Sequence, residues 1–450
     1  MNAHSCFLLS RWILLLMLVS GCTTSSSEKE KNSVVSGKFV PKSGAEIGIS
    51  FVNQVNETES ENIVLYDYLY NGAGVGVADF NGDQYPDIYF AGNQVQDELY
   101  INQRNGSFAI AKEAFPISQP KGWSSGVSVV DINKDGHMDV YVTKTGPDSR
   151  GRFSNELWVN DGSGSFEDQA AEYGLDYKGH CTQATFFDAD ADGDLDVYLL
   201  THPGDFKYNL SAQDLNNFLS DPNTESDVLM INENGKFENS NSSAGIADAA
   251  FGLGVAVADF DGDHWPDIYV SNDFDEGDLL YINQQDGTFK NEIDQRFKHT
   301  SNFGMGCDAA DFDNDGKTDL FTADMAFEDH VRSKKNMETM DPEKFAARTM
   351  LGWHYQYMSN CLQWNRGDVF SEIAHMSGVA QSDWSWSPLF VDVDNDGWKD
   401  LVISNGYKRD TKNQDLRGKV EELKASKDSI SLQDVLAQMP STTVANKIYK

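Results

Sequence analysis

The chain is short of cysteine, proline and basic residues, and each shortage excludes something. It has five Cys and no C-x-x-C spacing, so neither a disulfide framework nor a zinc site is indicated. Two of the five, Cys6 and Cys22, belong to the N-terminal segment. Cys181, Cys307 and Cys361 remain, an odd set expected to include free, buried thiols. Lys and Arg number 35 against 71 Asp and Glu, for a net charge of −36. That balance argues against nucleic acid as a partner, because phosphate would be repelled. There is no H-E-x-x-H signature and no phosphate-binding Gly loop, and His180, His202, His354 and His375 are scattered without metal-ligand spacing. Long apolar runs are absent too. The only one, Trp12 to Val19, is too short to span a bilayer. Proline (11) is far outnumbered by glycine (37), which suits tight turns between short strands.

The apolar run has a function of its own. Arg11 precedes it and Val19-Ser20-Gly21-Cys22 follows, which resembles a bacterial lipoprotein signal. The expectation is a signal peptide over 1–21, lipidation of Cys22, a flexible polar tether over 22–36, and a folded domain over 37–450. It places the protein, lipid-anchored to a membrane, at the outer membrane or cell surface of a Gram-negative bacterium. Thr23 gives no reason for inner-membrane retention.

The rest of the chain is organised by a repeat. "DFNGDQYPDIYFAG", "DINKDGHMDVYVTK", "DADADGDLDVYLLT", "DFDGDHWPDIYVSN", "DFDNDGKTDLFTAD" and "DVDNDGWKDLVISN" begin at residues 79, 131, 188, 259, 311 and 392. Each has an apolar residue before it and a β-branched or aromatic run after it, so each joins two short strands. A second phrase follows: "LYINQRNGSF" from Leu99, "LWVNDGSGSF" from Leu157, "LMINENGKF" from Leu229, "LYINQQDGTF" from Leu280 and a looser "LQWNRGDVF" from Leu362. These read as hairpins. About four strands per unit at roughly 50-residue spacing predict an all-β fold, a β-propeller of four-stranded blades. A helical or loop-like insertion is expected at Gly204 to Asp221, and helical ones after Asp341-Pro342, with Asp341 as N-cap, and across Lys412 to Met439 with Ser431 as an N-cap.

The loops place oxygen-bearing side chains at positions 1, 3, 5 and 9. They are Asp79, Asn81, Asp83 and Asp87; Asp131, Asn133, Asp135 and Asp139; Asp188, Asp190, Asp192 and Asp196; Asp259, Asp261, Asp263 and Asp267; Asp311, Asp313, Asp315 and Asp319; and Asp392, Asp394, Asp396 and Asp400. All-oxygen, multi-carboxylate coordination suits Ca²⁺, at about six sites. An EF-hand needs a bidentate Glu at position 12. Phe90, Val142, Leu199, Val270, Thr322 and Ile403 stand there instead, so that motif is excluded. Asx turns alone would account for one such loop. Six-fold recurrence favours the cation, because uncompensated carboxylates in so small a loop repel.

These loops and hairpins resemble the FG-GAP/VCBS repeat of integrin alpha-chain propellers. The longer phrases "YNGAGVGVADFNGDQYPDIYFAGNQ" and "DWSWSPLFVDVDNDGWKDLVISNGY" are similar to Bacteroidetes VCBS-repeat proteins related to the ASPIC/UnbV and cartilage acidic protein group. The resemblance implies a calcium-binding extracytoplasmic propeller, with positions 1, 3, 5 and 9 as ligands. It also implies a further repeat, seven blades in a complete protein. Either the chain is truncated, or Ile448-Tyr449 is completed by Gly37 to Phe39 in a six-unit ring; truncation is the preferred reading.

For function, the sequence supports a surface-tethered, calcium-stabilised module that binds a glycan or protein partner without catalysis. Trp353, Tyr355, Tyr357 and Trp364, and separately Trp384 and Trp386, are candidate contact residues. The last two are equally suited to core packing. The alternative is a calcium-dependent polysaccharide lyase with a Lys, Tyr or His base. His137 and Lys317 lie inside the loops, but at position 7, where only the backbone is needed. A third possibility is a structural partner in an outer-membrane assembly.

Overall fold

The computed structural model describes residues 39–112, 122–147, 150–204, 211–221, 224–247, 249–274, 276–336, 342–426 and 429–450, leaving undescribed the side chains of residues 212 and 417. Cys6, Cys22, Gly37 and Asp341 lie outside these residues. Lys42–Lys450 form one compact unit, a six-bladed propeller of antiparallel sheets. Blade 1 is β1 (Val75–Ala78), β2 (Asp87–Phe90), β3 (Glu98–Asn102) and β4 (Phe108–Ile110). Blade 2 is β5 (Trp123–Val130), β6 (Asp139–Thr145), β7 (Glu156–Asn160) and β8 (Phe166–Asp168). Blade 3 is β9 (Cys181–Phe187), β10 (Asp196–Thr201), β11 (Val228–Asn232) and β12 (Phe237–Asn239). Blade 4 is β13 (Phe251–Ala258), β14 (Asp267–Asp273), β15 (Leu279–Asn283) and β16 (Phe289–Asn291). After it, β17 (Thr300–Ser301) precedes blade 5, which is β18 (Gly306–Ala310), β19 (Asp319–Ala323), β21 (Cys361–Asn365) and β22 (Phe370–Glu372); β20 (Gln356–Tyr357) pairs parallel with β17. Blade 6 has three described strands, β23 (Ser385–Val391), β24 (Asp400–Asn405) and β25 (Lys447–Tyr449). Among the described residues no helix is long and apolar enough to cross a membrane.

Each sheet carries one cross-strand row that faces the next blade. The rows are Gly76–Tyr89–Leu99, Ser128–Tyr141–Leu157, Thr185–Tyr198–Leu229, Ala256–Tyr269–Leu280 and Asp308–Phe321–Leu362. The aromatic residue at the centre of each is fully buried. Burying a large apolar side chain stabilises by about 1.5–3 kcal/mol, so these rows are a main source of blade-to-blade cohesion. The tyrosine hydroxyls do not go unpaired. Tyr89 and Tyr198 donate to Asp97 and Asp227, each at 2.8 Å, and Tyr269 donates to Asp278. Each of these aspartates stands one residue before the third strand of its blade.

Small residues let the inner strands approach. A Cβ on Gly254 would meet Gly306 Cα at 2.7 Å, and one on Gly306 would meet the Trp386 carbonyl oxygen at 2.3 Å. In blade 6 the equivalent row is Leu389–Val402–Ile448. Leu389 and Ile448 are 52% and 56% exposed, and on the opposite face of blade 1 Val75 and Val77 are 52% and 58% exposed.

The antiparallel order puts all six Asp-rich loops, with the hairpin turns, at one end of the sheets. The connections between second and third strands lie at the other end, and the insertions occur there. Helix Ala212–Leu219 is capped by Ser211, Pro342–Met350 begins with its proline, and Gln414–Ser426 and Leu432–Leu436 follow. Ser431 and Asp434 form a capping box on the last helix. On this insertion face the first and last repeats are clasped together. Arg409 holds Glu57 at 2.6 Å, Tyr407 donates to the Asp67 carbonyl at 3.3 Å, and Leu436 packs with Ile63, Tyr66 and Leu69.

Candidate metal centres

The loops are shaped by backbone N–H groups that aim inward at their own carboxylates. In all six, position 5 accepts from the N–H of position 7, as Asp263 does from Trp265 at 2.8 Å and Asp396 from Trp398 at 2.9 Å. The chain can curl this tightly because positions 4 and 6 both have positive φ. Gly occupies one of the two and an ordinary residue the other: Gly262 at 84° is followed by His264 at 73°, whereas Asn314 at 57° precedes Gly316 at 87°. This explains the shift of glycine between the two positions.

Position 9 opens the second strand and is buried in every loop, from Asp87 to Asp400. One of its oxygens accepts the N–H of loop position 2, for example Phe260 to Asp267 at 2.8 Å. In blades 1 to 5 the other oxygen accepts the N–H of an asparagine at the end of the third strand: Asn102, Asn160, Asn232, Asn283 or Asn365. Position 9 therefore staples loop to sheet. These asparagines escaped the sequence reading. Asn160, Asn283 and Asn365 also donate to the carbonyls of Phe80, Ala189 and Phe260, in the loop of the preceding blade, at 2.8–2.9 Å. The signal was the shared final residue of "LYIN", "LWVN" and "LQWN".

Carboxylate oxygens converge in four loops. Asp188, Asp190 and Asp196, then Asp259, Asp261 and Asp263, then Asp311, Asp313 and Asp315, and finally Asp392, Asp394 and Asp400 each bring ligand oxygens within 4.8 Å of one another. The first two loops have Asn81 and Asn133 at position 3, so they bring fewer carboxylates together. A divalent cation fits this donor set, which is all oxygen and mostly anionic. Loop 3 carries a further indication. In the other five loops the Oδ1 of position 1 accepts the N–H of position 5, but Asp188 Oδ1 and the neighbouring Asp194 Oδ1 are buried without a hydrogen-bond partner. Elsewhere basic side chains sit on the ligand carboxylates: Arg104 on Asp83 at 3.0 Å, Arg296 on Asp261 at 3.2 Å, Lys317 on Asp315 at 2.6 Å, and Lys450 on Asp394.

In blades 1 to 5 burial pushes the position 9 carboxyls up, to about 6 for Asp139 and Asp196 and about 7 for Asp267 and Asp319, against the pull of the two N–H groups each accepts. Burial does the same to Asp273, Asp278 and Asp324. A carboxyl with a raised folded pKa favours the folded state below its unfolded value and loses that contribution as pH rises through the folded value. His202, lowered to about 3 by burial, and His354, also lowered chiefly by burial, act in the opposite sense as pH falls below their unfolded values, but they are two groups against several. Chelated protein should accordingly melt at a lower temperature at pH 8 than at pH 5, by differential scanning fluorimetry. A flat profile would mean these carboxyls titrate as they do unfolded.

The aromatic candidates separate. Trp384 is buried and stacked 3.9 Å from Tyr407, so it is core, whereas Trp386 is half-buried and donates to the Gly406 carbonyl at 2.6 Å. Trp364 is half-buried under Arg366 and donates to Asp313 at 2.8 Å, which makes it a support for loop 5. Trp353 is half-buried and donates to Asn216 at 3.3 Å, joining two insertions. Tyr355 and Tyr357 are exposed and pack with Phe345 at 6.2 and 5.7 Å. The three remaining thiols are free, with Cys181 and Cys361 buried. Contrary to the expectation that G-x-S-x-G is absent, the chain carries it once, as Gly122-Trp123-Ser124-Ser125-Gly126. It opens a β-strand, not the strand-to-helix turn a G-x-S-x-G nucleophile requires. Ser124 is buried, with its hydroxyl between Lys144 and Asp97 at 2.9 and 3.1 Å.

Comparison with known proteins agrees with the repeat. An FG-GAP-like repeat model matches residues 79–142, 213–270 and 267–322. No curated protein matches. Among solved structures, an Agrocybe aegerita lectin described as recognising non-reducing terminal N-acetylglucosamine is similar at 16% identity over 74% of this chain and 75% of its own, with a TM-score of 0.39. The Vibrio cholerae biofilm matrix protein Bap1 is similar at 12% over 67% of this chain and 39% of its own, with a TM-score of 0.35. A Bacillus licheniformis rhamnogalacturonan lyase is similar at 13% over 73% and 56%, with a TM-score of 0.32. Similarity at this level carries no inference about ligand or activity. The matched segments take in the Asp-rich loops of blades 1, 2, 4 and 5.

Proposed function

We propose that this protein is a calcium-stabilised, surface-tethered extracytoplasmic module that binds a glycan or protein partner through its insertion face. The observation behind this reading is the division of labour between the two ends of the propeller. The acidic loops occupy one end and staple strands together. The other carries the non-repeating segments and an exposed aromatic stack, Tyr355–Phe345–Tyr357, with His299 5.1 Å from Tyr357. Exposed tyrosine provides rigid, amphipathic contact area of the kind recognition surfaces use. No observation favours the lyase alternative. Lys317 is held in its charged form by Asp315 beside it, and His137 packs against Gly162 of the adjacent turn. The membrane address rests on Val19 to Cys22.

A polysaccharide and protein screen in calcium, reading binding and bond cleavage together, tests the proposal. With the partner in hand, Tyr357→Ala should weaken binding roughly tenfold with an unchanged melting temperature, since truncating an anchoring aromatic costs on the order of 1–2 kcal/mol of binding. A fall in melting temperature with binding intact would make the stack structural. Intact-mass spectrometry of the native protein should find Cys22 lipidated at the mature N-terminus; an unmodified Cys22 sinks the anchor.

A further inference from the structure

The inner strands of the six blades surround a cavity of about 530 Å³ along the propeller axis. That volume falls in the range of small-molecule sites, roughly 300–1,000 Å³. Its walls are unusual for this molecule: in a chain of net charge −36, none of the residues lining the cavity is Asp, Glu, Lys, Arg or His. A charged ligand would find no counter-ion there. The insertion-face end is covered by the buried rings of Tyr66 and Tyr68, and the cavity reaches β1, where Val75 is exposed.

The polar groups in the walls have a common character. Thr182 Oγ1 donates its proton to the Gly252 carbonyl at 2.9 Å, and Ser125 Oγ donates to the Cys181 carbonyl at 2.6 Å. Both hydroxyls therefore present lone pairs. Asn71 Oδ1 is buried and has no hydrogen-bond partner, and a buried acceptor left unpaired costs roughly 1–3 kcal/mol. Gln183 adds an amide that can both give and accept. The half-buried Trp386 supplies aromatic surface beside these groups. Such a cavity is complementary to an uncharged molecule with several hydroxyl donors and one apolar face.

We infer that the axial cavity binds a neutral pyranose, as a free sugar or as the terminal residue of a glycan. The hydroxyls would donate to Asn71, Ser125 and Thr182 while the C–H face of the ring packs on tryptophan. This goes beyond the proposed function, because the cavity is separate from the Tyr355–Phe345–Tyr357 stack.

The test is a titration of the calcium-loaded full chain by calorimetry and tryptophan fluorescence. The probes are glucose, galactose, mannose and N-acetylglucosamine, with glucuronate and glucosamine as charged controls. At least one neutral sugar should bind and shift the fluorescence, and both charged sugars should fail. Gln183→Ala, at a site with no structural hydrogen bond to lose, should weaken that sugar roughly tenfold. Asn71→Asp, which keeps the shape and adds a charge, should do the same, and Gln183→Ala should leave the melting temperature unchanged. Tyr357→Ala should have no effect. Failure of all four neutral sugars overturns the inference. So does binding that is lost in Tyr357→Ala but kept in Gln183→Ala, which would place the sugar on the aromatic stack.

Discussion

Chelation should lower the melting temperature of this protein steeply, and calcium should restore it. Extracellular calcium modules bind with Kd of roughly 10⁻⁴–10⁻³ M. With Kd about 0.1 mM and about 1 mM calcium, one site adds roughly 1.4 kcal/mol, and six independent sites add roughly 8 kcal/mol. That is comparable to the whole stability of a typical domain. The physical source is repulsion: three carboxylates meet in each of four loops, and burial and neighbouring charge both raise Asp261. Magnesium should substitute poorly, since it demands a stricter octahedral shell and gives up its water reluctantly. The sites should not fill equally. Loop 3 has five aspartates and two unpartnered carboxylate oxygens, whereas binding at loops 1, 4, 5 and 6 must first displace an Arg or Lys from a ligand. A melting curve indifferent to chelator and calcium would leave the aspartates as turn formers.

Asp267→Ala should destabilise the protein by about 4 kcal/mol even in chelator, because it strands two N–H groups at roughly 1–3 kcal/mol each. Those are the N–H groups of Phe260 and Asn283, at 2.8 and 2.9 Å from its two oxygens. Asp263→Ala, four residues away and partly exposed, should cost under about 1 kcal/mol in chelator, where its turn hydrogen bond is solvated. In calcium it should cost more, by the stability its site contributes. Chemical denaturation of both variants with and without calcium separates the two roles. Equal losses for the two variants in chelator would remove the distinction between staple and ligand.

Much of this was legible in the residues. Alternating aspartates followed by "DIYV" or "DVYL" place a tight loop before a buried strand, and the structure puts one at each expected position. The Ser431 cap and the Pro342 start were also readable, because capping is local chemistry. What was not legible depends on neighbours distant in sequence. Trp353 and Trp364 read as candidate contact residues, yet each gives its indole N–H to a residue on another segment, Asn216 and Asp313. The asparagine of "LYIN" looked like turn chemistry and proved to reach across to the preceding blade. The position 9 aspartate read as one ligand among four, and only its burial reveals that it also carries the loop.

The clasp of Arg409 on Glu57 has a kinetic consequence. It joins residues 352 positions apart in the chain, and its neighbour, the bond from Tyr407 to the Asp67 carbonyl, joins residues 340 apart. Contacts so distant in sequence carry a large loop-closure cost in an open chain, and that cost falls once the blades between them have formed. The clasp should therefore close late in folding, after the sheets it spans have stacked.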